Sequence, residues 1–520
     1  MTGIARSTGE GRRKGSAAKL LALCLGVGLA APALPQQSGF PFPFPLPLPQ
    51  AGGAGLPRMP FNLPFIAPPL PAVPADSAGR RQVIAQEGAP MTGPAADLVA
   101  RSMEAVSTAT RPVSPPGGFR VTLIDSPAVN AMALGDGNIF VTRQILALMN
   151  SPEELIGILG HEVGHVMARH SLFDATTGTG QRGSLGLLGA IAPDVAKALG
   201  LSSTLALRVF DRAQEHQSDV TGTKVLADMG LDPMGMHSGI ALLERDAVLQ
   251  QRISGPVRET MMDYWLRTHP VSGERLQLIQ TAAAMAPVAG PPRKLDRQAF
   301  LRTLDGLPFD DGPAQGVAEG GVFRQPGQRL ALTIPQGSKL LGGGNRLALL
   351  APGGGKAMVV TVSEKLPTQS LFAAAWKSEL GKYGAAPTPA PVALPGGTPA
   401  LYGAREFKVE GKPVTIGLQV APWRDGRHIV MLLIAPPGGS QPALDSFRTS
   451  LRPMTAADDA AFRYRVIRVV TAGPNDNVAT LARRMAYADH AEDRFRALNG
   501  LGANDRLASG QMVKLAVWNR

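Results

Sequence analysis

His161-Glu162-Val163-Gly164-His165 places two imidazoles four residues apart with a carboxylate beside the first. On an α-helix that spacing sets both rings on one face, where they can share one metal ion. Glu162 then lies close to the metal without being one of the HExxH ligands. That is the place for a carboxylate that takes a proton from metal-bound water. A second polar cluster, Glu215-His216-Gln217-Ser218-Asp219, can complete the site. Asp211, Glu215 and Asp219 are each four apart and share a helix face. Like charges stacked in this way cost about 0.2–0.5 kcal/mol per pair unless a cation offsets them. Two readings stand: an ordinary solvated acidic face, or a metal site. In the metal site, the favoured reading, Glu215 is the third protein ligand and Asp219 accepts from the N–H of a ligand histidine. Two histidines, a glutamate and a nearby free carboxylate suit a zinc-dependent peptidase.

The flanking residues can build the helices this needs. Ser151-Pro152-Glu153-Glu154 offers an N-cap serine, proline at the first helical position and a glutamate at N3, a capping box. Leu155, Leu159, Val163 and Val166 or Met167 continue an apolar stripe at helical spacing. Gly157, Gly160 and Gly164 weaken a helix intrinsically, so they are read as sites of close packing against a neighbour. Leu207, Phe210, Ala213 or Gln214, Gln217 and Val220 or Thr221 follow the same period around the second cluster. Gly230 and Pro233 end that helix.

Four motifs in order, from Asn130 to Arg275, resemble the HtpX and CAAX-prenyl-protease type of zinc metallopeptidases (gluzincins), and within them the soluble periplasmic, BepA-like branch. Asn130-Ala131-Met132-Ala133 and Gly137 to Thr142 resemble the strand pair before the active-site helix. Glu153 to His165 resembles the helix itself. Glu215 to Asp219 with Gly222 resembles an ExxxDxxG segment, with His216-Gln217-Ser218 as unusual filling. Thr268-His269-Pro270 with Glu274-Arg275 resembles a closing THP…ER segment. The resemblance implies one Zn2+ per chain on His161, His165 and Glu215, Glu162 as general base and Asp219 behind the ligands. It implies that Asn130, Ala131, Met132 and Ala133 form the edge strand on which an extended substrate is laid. His269 matches a histidine near the metal, which steadies the oxyanion or acts as an inhibitory extra ligand; a plain helix-start histidine before proline is the competing reading. His170 is taken as a helix-end residue, and His216, His237, His428 and His490 are assigned no role.

Arg12, Arg13, Lys14 and Lys19 precede an apolar run from Leu20 to Leu29 and small residues at Ala31-Pro32-Ala33. This reads as a signal peptide over 1–33 on the general secretory route, placing the chain in the periplasm. The run is too short to span a bilayer comfortably. The one cysteine, Cys24, lies inside it behind the bulky Leu23, so lipoprotein anchoring is not expected. A chain processed near Ala33 has no disulfide and must fold on its apolar cores. The formal net charge of +12 falls to about +8 on that processing, which favours anionic partners such as membrane surfaces or wall polymers without requiring them. Basic residues are dispersed and aromatics make up 5%, so nucleic acid is not an expected partner. The expected partners are protein or peptide substrates, with peptidoglycan or membrane-surface association left open.

The expected organisation is modular. Residues 34–96 read as a disordered, proline-rich linker and 97–287 as the zinc peptidase domain. Residues 185–207 within it read as packed helices or a flap over the cleft. Residues 296–453 read as a mixed α/β accessory domain. Its expected strands are Arg329 to Ile334, Lys356 to Val362, Val414 to Val420 and Ile429 to Ile434, with a helix from Leu371 to Tyr383. Residues 462–518 resemble a LysM-like βααβ unit, with Pro474 to Val478 departing from the usual turn. The fold class is therefore α+β: a mainly helical zincin-type domain with a small β-sheet, then the α/β middle domain and the βααβ unit. The function expected is zinc-dependent endoproteolysis of unfolded or misassembled envelope proteins. The competing class is a latent or inactive protease fold acting as a periplasmic chaperone or cell-wall-binding adaptor.

Overall fold

The computed structural model describes residues 70–111, 113–170, 212–254, 269, 273–287, 290–363, 365–381, 384–409 and 412–519. The expected signal peptide, most of the proline-rich stretch, residues 185–207, Asp211, Thr268 and Pro270 lie outside them. Among the described residues no helix is long and apolar enough to cross a membrane.

The chain first forms helices α1 (Ala78–Glu87) and α2 (Pro94–Ala109). A three-stranded sheet follows, with β1 (Arg120–Ile124), β2 (Ala131–Ala133) and β3 (Asn138–Thr142) in the order β1-β3-β2. β1 runs parallel to β3 and β2 antiparallel to it, so β2 is an edge. Gly137, at φ 87°, makes the β2–β3 turn, and a Cβ there would meet Val73 at 2.7 Å. Alternation along the strands puts Ala131, Ala133, Ile139 and Val141 on the main core. Met132, Leu134 and Phe140 face the other way and pack with Val83 and Ile84 of α1.

That second face corrects the expected disordered linker over 34–96. Past Pro74 prolines thin out, and Ser77 caps α1 by accepting from the Arg80 N–H at 3.1 Å. Arg80 donates to Thr122 on β1, and Ala89 and Met91 exchange backbone bonds with Asp125 and Leu123. The sheet's apolar second face needs a cover, and residues 73–91 provide it.

Thr142 ends β3 and caps α3 (Arg143–Leu148). Helix α4 (Pro152–Met167) follows, buried along nearly its whole length. Ser151 is its N-cap, accepting from Glu154 N at 3.2 Å. The expected reciprocal bond is displaced by one residue: the Glu154 carboxylate accepts from Asn150 N at 2.5 Å. Helices α5 (Arg212–Asp228), α6 (Met234–Ser254) and α7 (Gly273–Met285) complete the layer around α4. Gly230, at φ 66°, closes α5 as the sequence implies.

After α8 (Arg297–Leu304) and β4 (Pro308–Phe309) come two sheets and their covers. A four-stranded side sheet holds β5 (Val317–Glu319), β6 (Val322–Gln325), β7 (Leu330–Thr333) and the later β15 (Arg452–Pro453). The main sheet is antiparallel, in the order β11-β12-β13-β14-β10-β9-β8, from β8 (Lys339–Gly343), β9 (Arg346–Leu350), β10 (Lys356–Val362), β11 (Ala390–Ala393), β12 (Pro399–Val409), β13 (Lys412–Pro422) and β14 (His428–Ala435). Helix α9 (Thr368–Leu380), lying between β10 and β11 in sequence, covers one face through Leu371, Phe372 and Trp376. Helix α10 (Gln441–Thr449) covers the other through Leu444 and Phe447. The expected strand Lys356 to Val362 is present with its ends as expected, and the other three strands and the helix with shifted ends. The strands not expected are short, glycine-flanked or, like β11, exposed, which removes the apolar alternation that marks a strand.

Helix α11 (Ala456–Ala461) leads into β16 (Arg465–Thr471), α12 (Val478–Ala482), α13 (Ala491–Leu498) and β17 (Met512–Trp518), a βααβ order with β16 antiparallel to β17. This unit is not a separate module. β16 also pairs with β4, and Ile467, Leu481, Phe495 and Leu515 share one continuous core with α2, α4 and α8. The expected accessory-domain boundary at 296 moves accordingly, because Phe300, Leu304 and Phe309 belong to that same core.

Candidate metal centre

Helices α4 and α5 meet at their small residues. A Cβ on Gly160 would lie 3.0 Å from Gly222 Cα, one on Gly164 2.9 Å from Ser218 Cα, and one on Gly157 3.0 Å from Met236 Cα. The glycines read as packing sites do that work: they let α5 approach until its carboxylates reach the histidines of α4.

His161 Nε2 and His165 Nε2 stand 3.0 Å apart. His165 Nε2 is 3.3 Å from Glu215 Oε1, and His161 Nε2 is 3.9 Å from Glu215 Oε2. His269 also enters, with Nδ1 2.8 Å from Glu215 Oε1 and 3.3 Å from His161 Nε2. One ligand atom from each of these four buried residues lies within 4.8 Å of all the others. Two atoms each about 2.0–2.1 Å from a tetrahedral zinc ion are about 3.3 Å apart, so the spacing fits a shared cation. The donor set, imidazole nitrogen and carboxylate oxygen, suits zinc. Both oxygens of Glu162 are buried with no hydrogen-bond partner among the described residues. A buried carboxylate without partners is costly, and water held by a metal in front of it would satisfy it.

The surroundings bias each group. Burial lowers the pKa of His165 well below its ordinary value, which favours the neutral imidazole a metal needs. For His161 burial is the largest influence and acts downward, but the Asp219 and Glu215 carboxylates together outweigh it and the net shift is upward. His161 Nδ1 lies 3.0 Å from Asp219 Oδ1, so a proton is held there and Nε2 is left for a ligand role. Burial raises the Glu162 carboxyl. It acts upward on Glu215 and Asp219 too, yet both end lowered, Glu215 through His269 and His165, Asp219 through Arg275.

Arg275, 2% exposed, carries a role that its place in the THP…ER segment does not by itself indicate. In the structure it forks onto Asp219, Nε to Oδ2 at 2.8 Å and Nη2 to Oδ1 at 2.7 Å. Its Nη1 lies 2.5 Å from Glu215 Oε2 and donates to the His269 carbonyl at 3.3 Å. One guanidinium thus ties α7 to both carboxylates of α5 and to His269. Its signal was a lone arginine six residues after His269, visible only through that motif. His170, expected as a helix-end residue, lies just past the end of α4. Arg169, at φ 57°, reverses the chain and brings His170 Nδ1 to 3.2 Å from His165 Nδ1.

The candidate substrate strand is placed as an edge, with Asn130 and Ala131 to Ala133 all buried. Asn130 O accepts from Thr142 N and Leu134 N donates to Asn138 O. By antiparallel alternation Ala131 and Ala133 turn their N–H and C=O groups away from β3, toward the open side of the ladder.

A model of peptidase family M48 matches residues 94–283, which spans α2 through most of α7. The mitochondrial metalloendopeptidase OMA1 of Arabidopsis thaliana is 30% identical over 175 residues, covering 32% of this chain and 32% of that protein. The beta-barrel assembly-enhancing protease of Yersinia pestis is 29% identical over 171 residues, 30% of this chain and 33% of that one. A protease HtpX homolog of Streptococcus thermophilus is 27% identical over 204 residues, 31% of this chain and 67% of that one. The chain thus spans about a third of the length of the first two relatives. With the His-His-Glu cluster in place on α4 and α5, residues 94–283 are a domain of peptidase family M48.

Proposed function

We propose that the protein is a zinc-dependent endopeptidase acting on unfolded or misassembled proteins of the cell envelope. The observation that carries this reading is the buried convergence of His161, His165 and Glu215 beside the Glu162 carboxylate, which has no hydrogen-bond partner among the described residues and only His269 Nε2 at 3.8 Å as an ionic neighbour. His161, His165 and Glu215 would hold the metal. When bound, zinc polarises a carbonyl and lowers the pKa of water. Glu162, buried and raised in pKa, is the base that takes the water's proton and passes it to the leaving amine. The outward N–H and C=O groups of Ala131 and Ala133 would hold an extended peptide by strand addition, a mode that suits unfolded chains. Asp219 and Arg275 keep the ligand carboxylate and His161 in orientation. A periplasmic location rests on the charged-then-apolar pattern of residues 12–29 alone.

His269 favours a second reading of the same site. Its Nδ1 stands among the ligand atoms, as an inhibitory fourth ligand would. In that reading the resting chain is latent, and moving His269 opens the position for substrate.

The test is degradation of an unfolded model protein by the zinc-loaded chain beside Glu162→Gln. The expected result is cleavage by the parent and a loss of about 10²–10⁴-fold in the variant, with zinc still bound. Equal cleavage by both would overturn the assignment of Glu162. Zinc binding without cleavage in either would support latency, and His269→Ala should then release activity.

A further inference from the structure

Lys514 lies on β17 and is 0% exposed. Its ammonium donates to three consecutive carbonyls, Ala147 O at 2.7 Å, Leu148 O at 2.8 Å and Met149 O at 2.7 Å. These carbonyls end α3, where the helix has no partners of its own to offer them. The next residue, Asn150, donates from Nδ2 to Leu148 O at 3.1 Å and to Leu498 O of α13 at 3.2 Å. Asn499 locks the lysine in turn, accepting from Lys514 N at 2.7 Å and donating to Lys514 O at 2.9 Å. The βααβ unit therefore grips residues 147–150 from more than 340 positions away in sequence.

Those four residues have a particular place. β3, which carries the edge strand β2, runs directly into α3, and α4 with its metal-binding residues begins at Pro152. The grip sits on the covalent path between the strand that would hold substrate and the helix that would hold metal. His161 lies two turns beyond Glu154, about 10 Å along the helix. A small rotation at the junction becomes a displacement of His161 and Glu162 relative to Ala131 and Ala133.

We propose that Lys514 is a positioning residue of the peptidase, and that the βααβ unit sets the angle between edge strand and metal helix. The proposal rests on the metallopeptidase reading above. Three acceptors call for three N–H donors, which the ammonium form supplies; burial pushes the Lys514 pKa well down, and the nearby Glu154 carboxylate acts against that. An apolar side chain of equal volume would fill the space, leave the buried carbonyls of Ala147 and Met149 without this donor, and leave Leu148 O with Asn150 Nδ2 alone. The junction would then settle toward other donors or water, carrying α4 with it.

The test compares the full chain with Lys514→Met and with Leu515→Ala, a neighbouring core truncation that removes no donor; Leu515 is 1% exposed. Cobalt(II) binding reports the site through its visible absorption bands and affinity, independently of turnover. The expected result is that both variants melt at lower temperature. Below that temperature Lys514→Met alone binds cobalt on the order of ten-fold more weakly, with shifted bands, and loses kcat with little change in KM. Leu515→Ala should keep the parent spectrum and kcat. If Lys514→Met behaves as Leu515→Ala does, the lysine is an ordinary core residue and the proposal falls. If Lys514→Met does not fold, Lys514→Gln, which keeps two donors, is read by the same criteria. A parent that binds no cobalt would sink the metallopeptidase reading and this proposal together. A parent that binds and cleaves, with variants alike, sinks this one alone.

Discussion

Arg275 shows how much of a metal site lies behind its ligands. Asp219 and Glu215 sit on successive turns of α5, and without a cation their charges would repel in a region closed to water. The guanidinium fork answers both, and lysine cannot, because one ammonium does not match two carboxylates in a plane. Arg275→Lys should therefore weaken zinc binding by about 10–100-fold, as losses behind metal ligands do, measured by competition with a chromophoric chelator. An unchanged affinity would mean that Asp219 and Glu215 hold their places unaided. Arg212 and Glu274, an exposed pair 3.7 Å apart, make a contrast: Glu274→Gln should leave the same titration unaltered.

At the scale of elements the active-site geometry depends on how closely α4 and α5 pack. Gly160 faces Gly222 backbone to backbone, and a Cβ on Gly222 would come 2.7 Å from Gly157 O. In Gly222→Ala the Met236 Sδ at 3.0 Å can move aside, but Gly157 O and His161 N are backbone, so α5 must back away. The expected cost is about 1–3 kcal/mol by chemical denaturation, with zinc affinity falling in step because Glu215 and Asp219 move with the helix. A destabilised variant with unaltered zinc affinity would show that the site tolerates the shift. In the middle unit Asp458 caps α11 while pairing with Arg452 and Arg324. The Arg452 hydrogen bond, ahead of opposing burial, lowers its pKa. A depressed folded-state pKa stabilises the fold fully above the unfolded value, about 3.9, and the gain is lost as pH falls toward the folded one. Asp458→Asn should thus cost about 1–3 kcal/mol near neutrality and progressively less below pH 4, so that acid-unfolding curves of parent and variant converge. A gap that stays constant with pH would remove the charge from the explanation.

At the scale of the whole molecule, one core crosses what the sequence suggests are module boundaries. Ile467, Phe495 and Leu515 pack in the same cluster as Val99, Leu159 and Leu304. A chain ended at residue 461 would expose that surface and take the Lys514 donor from the carbonyls of Ala147, Leu148 and Met149. It is expected to be insoluble or to lack a cooperative melting transition; a well-folded, zinc-binding truncation would refute this. The isolated βααβ unit would expose the same apolar face, so association with peptidoglycan is properly tested on the full chain against sedimented wall material.

The shared face of His161 and His165, the adjacent Glu162 and the helix that bears them were legible because helical spacing is a local property: four residues apart means one face. Strands such as Lys356–Val362 and His428–Ala435 were legible as apolar runs, buried on both faces of a sheet. Asp219 and Glu215 were legible as a shared face, but their purpose needed the motif order around them. What the tertiary structure decided is everything that depends on distant approach. Arg275 meets Asp219 across 56 positions and Lys514 meets Ala147 across 367; a motif marks Arg275 without its partner, and no local pattern marks Lys514. The cover over the small sheet was hidden for a related reason. Helix α1 has one fully buried residue, Val83, and its stability comes from the face it covers rather than from its own sequence.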